Sequence, residues 1–357
     1  MTKKAAIILA GGKGRRFQNQ PEIWQDKTLA KLFDKPLLVH AIESVRKSVN
    51  EIVICVNDEM RKEMYNQILE SYRISDIKLA IDKKCNGLGG PLVAILTGLK
   101  VVIGDYCFTL PGDMPLVKPQ VIEYMFDLAR EARVVVPMWP NGRIETLVMV
   151  LEKKSAFEIA ETLCLVGRPR SDDLIRGALN VMFVSIVGEL TKLDPKLESF
   201  VNINFPEDLT RLQPRRVVGE INQNMHLENG SLPFHELHLM KKASGLCGES
   251  KLLEASEILA SCANRLEELR AFFWAALCRE NEAKNIRSLA KQQTTPLDSK
   301  RERARSAKSF LKAADNYELE ARMHEECRCV FLAERARSDK VWCNSRAEEM
   351  KQKRSKS

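Results

Sequence analysis

Much that would place this chain quickly is missing from it. In 357 residues no apolar run approaches the ~18–20 residues that span a bilayer, so no membrane-crossing helix is expected. Met1-Thr2-Lys3-Lys4 followed by Ala5 to Ala10 mimics a secretory leader. Its apolar part is shorter than the ~7–15 residues of such a segment, and Gly-Gly-Lys-Gly-Arg-Arg stands where a cleavage site belongs. The expected location is therefore the cytoplasm. The ten cysteines have no framework spacing, and read as reduced thiols packed like small apolar groups. His324, Cys327 and Cys329 offer metal ligands but lack the second cluster that structural zinc needs. A large charge excess is missing too. Residues 1–240 hold 31 Lys and Arg against 30 Asp and Glu, and residues 241–357 hold 25 against 18. That excess, interleaved with acids, is too dilute to indicate nucleic-acid binding.

What is there is an alternation. Strand-like runs at 5–10, 51–56, 77–82, 106–110, 133–137, 144–151, 179–187 and 200–203 are separated by helical patterns at 36–48, 58–71, 91–101, 118–130, 155–165 and 206–212. Near-continuous apolar strands alternating with helices predict a mostly parallel sheet covered on both faces. In such sheets ligands bind beyond the carboxyl ends of the strands. A polar stretch, 214–240, reads as a linker between a first domain, 1–213, and a second, 241–351, which is all helical and ends in a basic tail, 352–357. Helices are expected at 249–263, 265–291, 300–316, 317–338 and 340–351, as stacked hairpins of possible tetratricopeptide kind without a firm period.

Three strand-end segments carry chemistry. The first strand runs into Gly11-Gly12-Lys13-Gly14-Arg15-Arg16. Glycines let backbone N–H groups approach phosphate oxygens, and the cations balance their charge. The turn is not a Walker A loop, since no Gly-Lys-Ser/Thr follows, and it lacks the third glycine of the dinucleotide fingerprint. Its bland reading is a tight strand-to-helix turn. Asp113, in Pro111-Gly112-Asp113-Met114-Pro115, falls just past another strand, where a carboxylate can hold Mg2+ against phosphates or simply make a turn. Asn202 and Asn204, two apart, face one way from a short strand ahead of a Pro206-Glu207-Asp208 helix start, and could bind a polar ligand.

In this order the motifs resemble those of the molybdenum cofactor guanylyltransferases of the MobA type, nucleotidyltransferases with a Rossmann-like fold. Leu9-Ala10-Gly11-Gly12 with Arg16, Asp26-Lys27, Asp34-Lys35-Pro36-Leu37, Gly90-Pro91-Leu92, Gly112-Asp113-Met114-Pro115 and Asn202 to Glu207 carry the likeness, over residues 4–212. Two features depart from it: a longer stretch at Phe17–Gln25, and the helical part, which has no counterpart in the compact enzymes. The resemblance implies a three-layer, mostly parallel sheet of the nucleotide-diphospho-sugar transferase type. It implies transfer of GMP from GTP to the terminal phosphate of molybdopterin, with or without its molybdenum, and release of pyrophosphate. It places Mg2+ on Asp113, the triphosphate on Gly11 and Gly12, and leaving-group charge on Arg16 and Lys27. Leu9, Ala10, Asp82, Gly90, Asn202 and Asn204 complete the nucleotide site, with base choice near Leu9, Asp82 and Gly89-Gly90. Arg168 and Arg170 would hold the acceptor's phosphate, and the helices a protein partner. The alternatives are another acceptor, adenosylcobinamide phosphate or a sugar phosphate, and a degenerate nucleotide-binding scaffold that carries a docking module.

Overall fold

The structure is a computed structural model describing residues 3–12, 17, 26–85, 87–210, 212 and 217–352. It divides into two compact units, Met1–Cys164 with Pro169–His226, and Leu165–Arg168 with Leu227–Ser357.

The first unit is built on one sheet. Its elements are β1 (Lys4–Leu9), β2 (Lys31–Leu32), β3 (Lys35–Pro36), α1 (Leu37–Arg46), β4 (Glu51–Val56), α2 (Glu59–Ser71), β5 (Ile77–Ile81), α3 (Pro91–Val101), β6 (Tyr106–Pro111), α4 (Pro119–Leu128), β7 (Val134–Met138), β8 (Met149–Glu152), α5 (Lys153–Leu165), α6 (Ser171–Gly177), β9 (Asn180–Ser185) and the single turn α7 (Thr191–Leu193). A last strand, β10 (Met225–Glu228), follows. Eight strands form the sheet in the order β10-β9-β7-β8-β6-β1-β4-β5, and β2 and β3 form a separate small hairpin. β1 pairs in parallel with β4 and β6, β4 with β5, and β7 with β9, while β8 runs antiparallel to β6 and β7. The sheet is thus mostly parallel, as the alternation predicts.

Both faces are covered, and β1 shows how. Ala6, Ile8 and Ala10 point into a core shared with Leu38, Ala41 and Ile42 of α1, Tyr65 and Leu69 of α2, and Val121, Ile122 and Met125 of α4. Ile7 points the other way, to α3, where a Cβ on Gly98 would come within 2.9 Å of its Cγ1 and Cδ1. Period-two alternation on a strand buried on both sides explains why β1 reads as unbroken apolar sequence.

The strand expected at 200–203 does not form a ladder. Residues 198–200 make a 3-10 turn, and the extended segment after it gives one bond across, Ile203 N to Asp113 O at 3.0 Å. The alternation survives, with Val201 and Ile203 buried, but the Asp208 carboxylate takes the next amides, Asn204 N and Phe205 N, at 2.7 and 2.8 Å. The helix expected at 206–212 is a 3-10 turn, Pro206–Leu209.

The second unit is helical: α8 (Phe234–Gly248), α9 (Leu252–Glu268), α10 (Phe272–Gln292), α11 (Pro296–Glu326) and α12 (Val330–Gln352). β10 and the start of α8 both fall inside the stretch read as a linker, 214–240. Consecutive helices pack on one another. Three of them end alike, with a left-handed non-glycine residue at Ser250, Arg270 or Arg328. The next amide then bonds five residues back: Lys251 to Leu246, Ala271 to Leu266, Cys329 to His324, at 2.8–2.9 Å. α11 runs unbroken through 316–317, where two helices were expected, because nothing there breaks a helix; the break comes at Arg328. Its core holds Trp274, Phe273, Phe310 and Tyr317, and Arg279 is buried against Glu267 and Glu282 at 3.2 and 3.3 Å. Arg168 pairs with Asp339 at 2.6 Å, which commits its guanidinium to this unit. Arg170 meets Asp172 at 2.9 Å. Both arginines are thus paired with carboxylates.

Candidate active site

β1, β4 and β6 end at the same edge of the sheet, and the segments that leave them carry the site. From β1 come Leu9, Ala10, Gly11 and Gly12; Ala10 N bonds Cys55 O at 2.9 Å and Leu9 O accepts from Gly112 N at 3.0 Å. Among the described residues a Cβ on Gly12 would meet nothing within 4 Å, so that side of the turn is open there. Arg16 lies outside the described residues.

Lys27 begins a 3-10 turn, Lys27–Leu29, whose N-cap is Asp26. Its Nζ lies 2.6 Å from Asp113 Oδ2 and 3.0 Å from Asn204 Oδ1. One ammonium therefore joins three of the predicted residues from positions 27, 113 and 204. Both ends of the pair are largely shielded, with side-chain exposures of 11% and 24%. Asp113 Oδ1, the oxygen away from Lys27, is buried and has no hydrogen-bond partner among the described residues. A buried carboxylate oxygen left without a donor is costly, and a cation would satisfy it. Asn202, by contrast, is exposed, and the site gathers only Asn204 of the pair.

Asp82 follows β5, its amide bonded to Val56 O at 2.7 Å. A Cβ on Gly11 would stand 3.2 Å from Asp82 Oδ2 and 3.6 Å from Cβ of Asn57, which places this carboxylate and Asn57 against the glycine turn. Asp82 Oδ1 is also buried without a partner among the described residues. Desolvation pushes the Asp82 carboxyl up to about 6, a rise that the Thr97 hydroxyl partly offsets. Gly90 caps the N-terminus of α3 at φ +127°, a conformation open only to glycine, so the backbone before Pro91 can turn sharply there.

Beneath this edge lies a polar cluster that the sequence reading passed over. Arg61 of α2, Asp26 and Tyr65 are buried together, with Arg61 ion-paired to Asp26 and the Tyr65 hydroxyl donating to the same carboxylate. The buried face of α2 consists of Arg61, Tyr65 and Leu69, spaced i, i+4, i+8. An arginine on the stripe that otherwise carries the apolar residues was the available signal.

Residues 6–178 match the family described as the MobA-like NTP transferase domain. A protein of Methanosarcina mazei named "probable molybdenum cofactor guanylyltransferase" is 31% identical over 209 residues, 58% of this chain and 89% of that protein. The chain belongs to this family. As a MobA-like protein it is a nucleotidyltransferase. The like-named protein of Thermococcus kodakarensis is 32% identical over 215 residues, 58% of this chain and 94% of its own. The solved molybdopterin-guanine dinucleotide biosynthesis protein A of Archaeoglobus fulgidus is 26% identical, with a TM-score of 0.47, over 58% of this chain and 96% of that one. Among the described residues no helix is long and apolar enough to cross a membrane.

Proposed function

We propose that this MobA-like enzyme transfers GMP from GTP to the terminal phosphate of molybdopterin in the cytoplasm. The observation that carries the reading is the Lys27 ammonium held between Asp113 and Asn204 beside an open glycine turn. The acceptor's phosphate oxygen attacks the α-phosphorus; one P–O bond forms and the bond to the pyrophosphate bridging oxygen breaks. A phosphate monoester is already largely ionised near neutral pH, so no side chain need remove a proton from it. What the protein must supply is alignment and charge. Backbone N–H groups of Gly11 and Gly12 cradle the triphosphate, and Lys27 and Arg16 neutralise the departing pyrophosphate.

The residues present fit Mg2+. Among the described residues Asp113 Oδ1 is an orphaned buried acceptor, and no three His, Cys, Asp or Glu side chains form a fuller cage. One or two carboxylates completed by waters and phosphates is how Mg2+ is usually held. Asp113 would hold it, and the ion would supply charge neutralisation on the phosphates.

Asp82 supports guanine. A carboxylate accepts hydrogen bonds only, and guanine offers the adjacent N1–H and N2–H2 donors. Because its carboxyl titrates near 6, Asp82 is ionised at pH 7.5 and loses its acceptor character as the pH falls through that value. GTP affinity should therefore drop progressively from pH 7.5 to pH 5, and the drop should vanish in Asp82→Asn. An affinity flat across that range removes Asp82 from base recognition. The reaction itself is tested by incubating the protein with Mg2+, each of the four triphosphates and, in turn, molybdopterin and a sugar phosphate. Pyrophosphate appearing only with CTP, or only with the sugar phosphate, overturns the substrate assignment. The helices at 241–351 lie in the part without counterpart in compact enzymes, and we assign them to docking a protein partner. Capture of a cofactor-accepting apoenzyme by the full chain, lost when charges on α11 are reversed, is the expected result.

A further inference from the structure

The cluster under the glycine turn is more than a brace for the core. Arg61 is 2% exposed, and its contacts include the ends of β1 and β4 and the residue before Lys27. Nη1 donates to Ala10 O at 3.1 Å and to Asn57 Oδ1 at 2.8 Å. Nε lies 2.8 Å from Asp26 Oδ2. Tyr65, one turn further along α2, places its hydroxyl 3.3 Å from Ala10 O and 3.1 Å from Asp26 Oδ2. Asp26 Oδ1 in turn accepts from Thr28 N and Oγ1 at 3.0 and 2.7 Å, which pins the peptide on either side of Lys27. Asp58 caps the Arg61 amide at 2.8 Å, so the first turn of α2 is itself anchored.

The Ala10 carbonyl decides what this arrangement does. The described backbone has no cis peptide, and in a trans peptide C=O and N–H point in opposite directions. Drawing Ala10 O down onto Arg61 and Tyr65 turns Gly11 N–H away from the core. A glycine turn has many accessible orientations, and this contact selects the one in which the anion-binding N–H faces out. The same guanidinium accepts no bond itself, so by holding Asn57 Oδ1 it leaves the Asn57 amide N–H groups directed elsewhere. Charge is not its contribution, because Asp26 neutralises it at 2.8 Å.

We infer that Arg61 is a positioning residue for triphosphate binding: it sets the direction of the Gly11 N–H and the place of Lys27 without touching substrate. This rests on the assignment of Gly11-Gly12 as the triphosphate cradle, but not on the choice of guanine or of molybdopterin.

The test uses Arg61→Lys and Tyr65→Phe in the full chain. Arg61→Lys keeps the charge but loses the planar fork that reaches Ala10, Asn57 and Asp26 together. Dissociation constants are measured for fluorescent mono- and triphosphates of guanosine, cytidine and adenosine, with thermal melts alongside. The expected result is a triphosphate affinity about tenfold weaker in Arg61→Lys, the loss of one charge-assisted contact, with monophosphate affinity changed less than about threefold. Tyr65→Phe should move the same ratio by a smaller factor. Unchanged triphosphate affinity in both variants overturns the inference. So does a loss shared equally by mono- and triphosphates in step with the fall in melting temperature, the mark of a structural role only. If the natural chain prefers cytidine, the guanine assignment fails while Arg61 is still judged on CTP; if no triphosphate binds at all, both readings fall.

Discussion

Asp113→Asn should lower the rate of pyrophosphate release by about 10^3-fold while the chain stays folded, the scale on which a preorganised charge at a reacting phosphate acts. Asp113 has two separate tasks. Its Oδ2 holds Lys27 at 2.6 Å, and its Oδ1 is the buried orphan that a divalent cation would satisfy. An amide keeps the volume and can still accept from Lys27 through its oxygen, but it carries no charge to hold a metal. Asn204→Ala gives the contrast: it removes one of the two acceptors around the Lys27 ammonium and leaves the carboxylate, so its loss should be nearer tenfold. Rates measured at several Mg2+ concentrations separate the two. Asp113→Asn should need far more Mg2+ for half-maximal rate, and Asn204→Ala should not. Equal losses in both variants, with no change in Mg2+ dependence, would mean that Asp113 serves only to hold Lys27.

Gly98→Ala should destabilise the first unit by about 3 kcal/mol, toward the upper end of overpacking costs. For a unit of this size that is a fall in melting temperature of roughly 6–12 °C. α3 rests directly on β1, and a methyl on Gly98 would meet Ile7, with Cγ1 and Cδ1 at 2.9 Å and Cγ2 closer still. Ile7 cannot retreat, because it sits fully buried on the middle of the sheet between β4 and β6. Moving α3 instead would shift Gly90, its cap. The two residues should be strongly non-additive. In an Ile7→Ala background, itself destabilised by a cavity, adding Gly98→Ala should cost little or restore stability. Equal costs in both backgrounds would show that the close approach of helix to strand is not what the glycine is for.

The sequence carries the alternating order of most of the first unit, since its longer strands and helices are announced within their own ten or so residues, whereas β2, β3, α6 and β10 are not. Pro91, Pro119 and the Asp58 cap start helices where the chain says they start. It also determined the edge at which Gly11, Asp82 and Asp113 stand, because parallel strands that share a direction bring their carboxyl ends together. It failed where an outcome depends on competition between distant groups. The run at 200–203 has the pattern of a strand, yet Asp208 takes the amides that would have continued the ladder. Arg168 looks like a free loop cation until Asp339, 171 residues away, claims it. That Lys27 meets Asp113 and Asn204, and that Asp26, Asn57, Arg61 and Tyr65 close beneath the glycine turn, comes from long-range packing. A buried arginine on α2 reads, in sequence, as a solvated one. Its burial becomes tolerable only when a carboxylate, a carbonyl and an amide from outside α2 arrive to satisfy it, and no local pattern records that arrival.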